Sequence, residues 1–348
     1  MKLMEMGFES KNDCGPQTDM TPRVSVIIVT YGSRNEIPAC IESLLTQDIN
    51  TEIFLVDNAS PDDTPEIAAA YAARYNNIHA IVNQDNIGLA AANNLPLGKC
   101  QGQYVFILNP DTVLCDDTLS RLVNFLDQNP DVGVVGPKNL YEDRTRHSSF
   151  HKNWGLFHVL IWRVLPYRFS RSFYDRFSSY KFQDVLFVSG ASLMIRRSIF
   201  ESIGGYDPEY FLTVEDACDL CIRARETGCR VVFLPDAEVI HLGGRSGAQA
   251  PSIGIWHGCR GTVYHFLKHK GVVQSSLALL ALVISSALRT LIAATGGVFQ
   301  PRYRSIARIY AMVVRNLLVA NPLWGRARPR SASTSTKRSD LNGAKEIS

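Results

Sequence analysis

Tyr104-Val105-Phe106-Ile107-Leu108-Asn109-Pro110-Asp111-Thr112 decides how the rest of the chain is read. The run from Tyr104 to Leu108 is apolar and rich in aromatic and β-branched side chains, which predicts a strand buried on both faces. Proline has no N–H to give to a ladder and restricts the residue before it, so the strand stops at Asn109-Pro110. In an open α/β sheet, ligands bind in the crevice beyond the carboxyl ends of the strands. Asp111 would stand at the mouth of that crevice, with oxygens suited to a hard cation. The same Asn-Pro-Asp-Thr also reads as an ordinary turn that caps the next helix, and the stretch alone leaves both readings open.

Working outward, residues 24–31, 52–56 and 78–82 read as further strands, and 132–135 and 231–234 as later ones. Between the first two, Ile37, Cys40, Ile41, Leu44 and Leu45 recur at helical spacing. An alanine-rich helix capped by Asp62 or Asp63 is predicted up to Tyr75. Another runs from the 83–88 turn through Lys99, and a further one over about 117–128. Alternation of strands and helices implies an α/β fold with a doubly wound, mainly parallel sheet. Residues 145–183 interrupt it with Trp154, Phe157, Trp162, Tyr167, Phe169, Phe173, Tyr174 and Phe177 among Arg and Lys. They read as an insertion lying on something rather than as core. Residues 184–197 return to the sheet, and Glu215-Asp216-Ala217-Cys218-Asp219 opens a helix through Glu226 that Gly228 ends.

At 348 residues the chain is long enough for one large domain and an appendage. Its net charge of +3 conceals an asymmetry: after Glu238 no acidic residue occurs until Asp340, while that span holds fourteen Lys and Arg. A polyanionic partner is implied, either nucleic acid or an anionic membrane surface. Residues 272–288 and 291–299 are apolar and separated by Arg289, and 302–330 add seven Arg. They are too apolar for a surface facing DNA, which sets nucleic acid aside. A basic helical pair lying on the membrane is expected over 246–330, with a span or a hairpin packed on the domain as the other readings. Residues 1–22 read as a flexible leader without the apolar core of a signal peptide, and 331–348 as a disordered tail. The eight cysteines are scattered, which fits a reducing cytosol. Cys218, Cys221 and Cys229 lack a second pair to complete a zinc site.

Asp57, Asp111 and the Glu215/Asp216 pair all fall at one expected edge of the sheet. A carboxylate there can accept the imide N–H of uracil or thymine, hold a cation against a diphosphate, or take a proton from a hydroxyl. Spacing does not assign the roles. His241, after a strand and before Leu242-Gly243-Gly244, reads as a ligand of metal or diphosphate or as a structural histidine. The loop Gly32-Ser33-Arg34-Asn35 has too few glycines to cradle a triphosphate, and no G-x-G-x-x-G follows the first strand. These absences argue against a nucleotidyltransferase and an oxidoreductase.

Eight segments in series resemble glycosyltransferase family 2, nearest to bacterial rhamnosyltransferases of polysaccharide assembly. They are 24–31, Val56-Asp57-Asn58-Ala59-Ser60-Pro61-Asp62, 86–94, Leu108-Asn109-Pro110-Asp111-Thr112, Ser189-Gly190-Ala191, Gly204-Gly205-Tyr206-Asp207, the Glu-Asp cluster and His241-Leu242-Gly243-Gly244. The resemblance covers about 23–245 and implies a GT-A fold, to which the charge and apolar pattern of 246–330 add an expected C-terminal helical membrane-associating appendage. It implies inverting, Mg²⁺- or Mn²⁺-dependent transfer from a dTDP- or UDP-sugar to a glycan, and the basic C-terminal third adds the expectation of a polyprenyl-linked glycan acceptor at the cytoplasmic face of the inner membrane. By position it puts Thr30, Tyr31, Asp57, Asn86 and Gly88 at the nucleotide, and Asp111 and His241 at the metal. Asp216 matches the catalytic base. The family's usual Glu-Asp-x-Asp is one residue longer here, so Glu215 stays open as the base, as does a catalytically inactive scaffold in a polysaccharide-assembly complex.

Overall fold

The computed structural model describes residues 21–157, 161, 180–242 and 251–324. The apolar insertion residues Trp162, Tyr167, Phe169, Phe173, Tyr174 and Phe177, Gly243-Gly244, the leader through residue 20 and the tail from 325 lie outside them.

Four strands begin the sheet: β1 (Val24–Thr30), β2 (Thr51–Asp57), β3 (Ile78–Val82) and β4 (Tyr104–Leu108). They pair in parallel in the order β3-β2-β1-β4. Alternate side chains of β1, β2 and β4 enter opposite cores, as a strand's period of two requires. Ile27, Phe54, Val56, Val105 and Ile107 join one cluster, whereas Val26, Ile28, Ile53, Leu55, Phe106 and Leu108 join the other. The second face is covered by α1 (Ile37–Leu45), α2 (Thr64–Arg74) and α4 (Thr118–Gln128). The first is covered by α3 (Leu89–Asn94), α5 (Arg197–Ser202) and α6 (Glu215–Glu226). Helices on both faces explain why these strands are apolar throughout.

Beyond β4 the chain returns less regularly. β5 (Thr112–Leu114) follows Asp111 directly, so the Asn-Pro-Asp-Thr turn leads into a strand and not into a helix cap. β6 (Val132–Leu140), β7 (Phe150–His151), β8 (Gln183–Asp184), β9 (Phe187–Val188), β10 (Ser192–Arg196) and β11 (Arg230–His241) follow. β10 sits antiparallel between β4 and β6, while β11 runs parallel to β6 and antiparallel to β5.

Several expectations are corrected. The helix predicted through Lys99 ends at Asn94, and Leu97–Lys99 is a separate 3₁₀ turn after Pro96, whose ring cannot continue a helix. Asp63 makes no side-chain cap on α2; Asp62 instead accepts from the Thr64 N–H at 3.2 Å. The strand predicted to end at Leu234 continues past an irregularity in its pairing with β6, so His241 is its last residue and does not follow it. Trp154, expected on a surface, is buried edge-on to Phe187 with ring centroids 5.3 Å apart.

The two apolar C-terminal stretches belong to one element, α7 (Pro251–Phe299), broken at Gly271 (φ 83°, ψ 173°). Such a φ suits glycine alone. The Ser275 hydroxyl donates to the Val263 carbonyl at 2.8 Å, so the second limb folds back along the first. Cys259 and Val263 of the first limb share a small core with Leu282 of the second and with Val313 and Leu317 of α8 (Pro301–Val319).

Candidate active site

The carboxyl ends of β1, β2 and β4 carry Thr30, Asp57 and Asn109-Pro110-Asp111 to one edge. Asp57 is fully buried and engaged: Oδ1 accepts from the Thr30 hydroxyl at 3.0 Å and the Ser60 hydroxyl at 2.5 Å, and Oδ2 from the Ser60 N–H at 3.0 Å. Asn58 beside it holds the neighbouring loop. Its Nδ2 donates to Asn86 Oδ1 at 2.9 Å, and its Oδ1 accepts from Asn83 Nδ2 and the Ile87 N–H. Asn86 Oδ1 also accepts from the Gly88 N–H at 3.0 Å. Gly88 has φ +90°, and a Cβ there would lie 2.7 Å from Phe211. Only glycine lets α3 start so close to the 206–214 loop. Asn94 completes that junction, exchanging two hydrogen bonds with the Tyr206 backbone at 2.7 and 2.8 Å.

Asp111 is nearly buried, and His241 Nε2 lies 3.3 Å from its Oδ1. Strand pairing sets this, because His241 of β11 is opposite Thr112 of β5. His241 is only 8% exposed, yet neither ring nitrogen has a hydrogen-bond partner. Buried polar atoms ordinarily have one. Among the described residues no group of three or more His, Cys, Asp or Glu is placed to bind a metal. The protein thus offers a carboxylate and an imidazole here and no closed cage. That donor set fits a hard divalent ion that takes its remaining oxygens from a diphosphate and water.

Two cavities meet at this edge. One, of about 300 Å³, is lined by Thr30, Tyr31, Asn58, Asn86, Asp111 and His241 among others. The other, of about 360 Å³, contains Asp216. Leu89, Asn109, Leu212 and His241 line both. Asp57, Gly88 and Glu215 line neither.

α6 separates its two acidic residues by their direction. Asp216 is 5% exposed and faces the second cavity, with Oδ1 accepting from the Ala217 N–H at 2.5 Å. Burial pushes its carboxyl up to about 8, against the pull of that N–H, and the charges of Glu215 and Asp219 add to the rise. Glu215 turns away into the protein, where the hydroxyls of Thr213 and Thr262 donate to it. One turn on, Asp219 is fully buried and meets Arg223, Lys268 and His269, each at 2.7 Å. Burial pushes Asp219 up, but hydrogen bonds from His269 and Lys268, with Arg223, outweigh it and hold the carboxyl below the usual range. The lengthened acidic cluster therefore puts Glu215 and Asp219, four apart, on the side of α6 that grips α7. Its first limb is held further by Arg260 on Glu209 at 2.7 Å and Lys268 on Asp207 at 2.6 Å.

The chain shares its fold with a structure of GalNAc-T7 bound to UDP, GalNAc and Mn²⁺, at a TM-score of 0.53 and 17% identity, over 72% of this chain and 48% of that one. It has the GT-A fold of nucleotide-sugar transferases, with a helical appendage. The profile of glycosyl transferase family 2 matches residues 25–204, just over half of the chain. The chain belongs to that family and is a glycosyltransferase. It is 28% identical over 300 residues, 78% of this chain and 95% of the relative, to the N-acetylglucosaminyl-diphospho-decaprenol L-rhamnosyltransferase of Mycobacterium tuberculosis. Over 124 residues, 35% of this chain and 45% of the relative, it is 37% identical to the putative glycosyltransferase EpsE of Bacillus subtilis.

Asn58, Phe211 and the α7 residues Gly254 and Gly258 line these cavities without having been singled out in the sequence. Asn58 lay in the run 56–62, in which only Asp57 reads as a site residue. The signal in α7 was the row Arg260, Thr262, Tyr264, Lys268 and His269, polar groups at helical spacing beyond the expected end of the domain.

Proposed function

We propose that the protein transfers a sugar, rhamnose foremost, from a dTDP- or UDP-sugar to a hydroxyl of a polyprenyl-linked glycan, inverting the anomeric carbon. The observation that carries this reading is a nearly buried carboxylate, Asp216, in a cavity that adjoins the nucleotide-side cavity at Asn109 and His241. The sugar and the acceptor class rest on the name of the Mycobacterium relative.

Thr30, Tyr31 and Asn86 border the nucleotide, and Gly88 fixes the loop that carries Asn86. Asp57, buried behind the nucleotide-side cavity, would act there by holding the Thr30 hydroxyl and the Ser60 loop in place. Asp111 and His241 would hold Mg²⁺ or Mn²⁺, which supplies positive charge against the leaving diphosphate. The unpartnered ring nitrogens of His241 beside an Asp111 oxygen support that assignment. Asp216 takes the proton of the attacking hydroxyl, its raised pKa matched to work near neutral pH. One base facing the acceptor, with the diphosphate site beyond it, suits a single displacement without a covalent enzyme intermediate.

The C-terminal helices would lie on the cytoplasmic face of the inner membrane. Val273, Leu277, Leu280, Ile284, Leu288 and Ile292 expose an apolar face of α7 at helical spacing. Arg304, Arg308 and Arg315 form an exposed basic row on α8, with no acidic residue between Glu238 and Asp340. Apolar burial with basic charge is what an anionic interface binds.

Calorimetric titration with UDP and dTDP, with and without Mn²⁺, tests the donor site. Binding that requires Mn²⁺ and disappears in Asp111→Ala is expected. Failure of the folded wild type to bind either nucleotide would overturn the reading.

A further inference from the structure

The second cavity has a wall that the family match does not reach. Gly254 and Gly258 of α7 line it beside Asp216, although the matched segment ends at residue 204. Being four apart, they share one face of the helix. A third glycine, Gly261, has an ordinary packing reason, since a Cβ there would meet the Thr213 side chain at 2.7 Å. Gly254 has none: a Cβ built on it meets nothing within 4 Å. Glycine is a poor helix former, so a bare position facing open space weakens the helix without tightening any contact.

Asp216 supplies an independent observation. It is 95% buried, one oxygen is held by the Ala217 N–H, and among the described residues none hydrogen-bonds the other. A carboxylate so placed, on the edge of a cavity, can accept the hydrogen of a hydroxyl brought there. The lining also limits what can bring one. Asn93, Ser189, Thr213 and the imidazoles of His147 and His151 line the cavity together with the rings of Phe187 and Tyr206. Hydrogen-bonding groups interleaved with aromatic rings suit a hydroxyl-bearing ring, whose edge is polar and whose face is apolar.

We infer that Gly254 and Gly258 form the wall against which the terminal sugar ring of the acceptor lies, with its attacking hydroxyl on Asp216. The missing side chains set the size of ring admitted. The inference rests on the proposed transferase reading and adds a specificity surface to it.

The test uses the full chain, a nucleotide-sugar donor, and N-acetylglucosamine linked through diphosphate to a farnesyl chain as acceptor probe. Gly254→Leu fills the open space with a good helix former, so its Tm should match or exceed that of the wild type. Its KM for the acceptor probe should rise by about tenfold or more, with the donor KM unchanged. Gly254→Ala should show the same split by about two- to threefold, and it serves if the leucine variant does not fold. An acceptor KM equal to that of the wild type in the folded variants overturns the inference. A wild type that binds nucleotide but transfers nothing to the lipid-linked probe overturns the acceptor class, and this inference with it.

Discussion

At the scale of single residues, the site turns on which carboxylates face a cavity. Asp216 carries a testable sign. Its folded-state pKa is raised from 3.8 to about 8, so between those values the native state holds a proton that the unfolded chain has lost. Stability therefore falls as pH rises through that window. Asp216→Asn removes the cost while keeping an oxygen for the Ala217 N–H. It should stabilise the protein by about 1–3 kcal/mol at pH 8, read as a higher Tm, and lower kcat by about a hundredfold or more. Wild-type activity should climb with pH towards an apparent pKa near 8. Flat activity from pH 6 to 9 would remove Asp216 as the base. Asp111 was legible in the sequence because proline ends an apolar run just before it. Glu215 and Asp216 were not separable there. Adjacent helical positions point about 100° apart, and which one faces a cavity depends on where α7 docks, a contact some fifty residues away in sequence.

At the scale of elements, the strands from β1 to β4 could be read because burial on both faces leaves an unbroken apolar run. The lengths of β6 and β11 could not, because Pro235 and Asp236 break the pattern just where the pairing becomes irregular. Nor could the place of β10, an antiparallel strand inserted between β4 and β6 by contacts remote in sequence. The extra residue in the acidic cluster acquires a reason here, as it aligns Glu215 and Asp219 towards α7. Asp219→Ala should destabilise the fold by about 3 kcal/mol, the lower end for breaking a buried ion pair. The lower end applies because Lys268 keeps Asp207, and Arg223 keeps the carbonyls of Ile203 and Gly205. Denaturant unfolding of the variant measures this, and a loss below about 1 kcal/mol would show that the clamp carries little.

At the scale of the whole molecule, the charge asymmetry of the sequence becomes a surface. Replacing Arg304, Arg308 and Arg315 together by Gln should weaken partition onto anionic vesicles by about 1 kcal/mol per residue. Partition onto neutral vesicles should remain, since the apolar face of α7 is untouched. Equal binding of wild type and variant to anionic vesicles at low salt would remove the basic row from membrane binding. The apolar character of 272–299 was plain in the sequence. That it folds back on a limb gripping α6 was not, because a single glycine in a helical run carries little signal.

The break at Gly271 also acts as a gauge. One limb of α7 borders the Asp216 cavity and the other packs with α8. If the helical pair lies on a bilayer as proposed, the break sets the height of Asp216 above it. A lipid-linked acceptor would then have to bridge that height with its diphosphate and any intervening sugars, and the fold would select acceptors by length as well as by sugar.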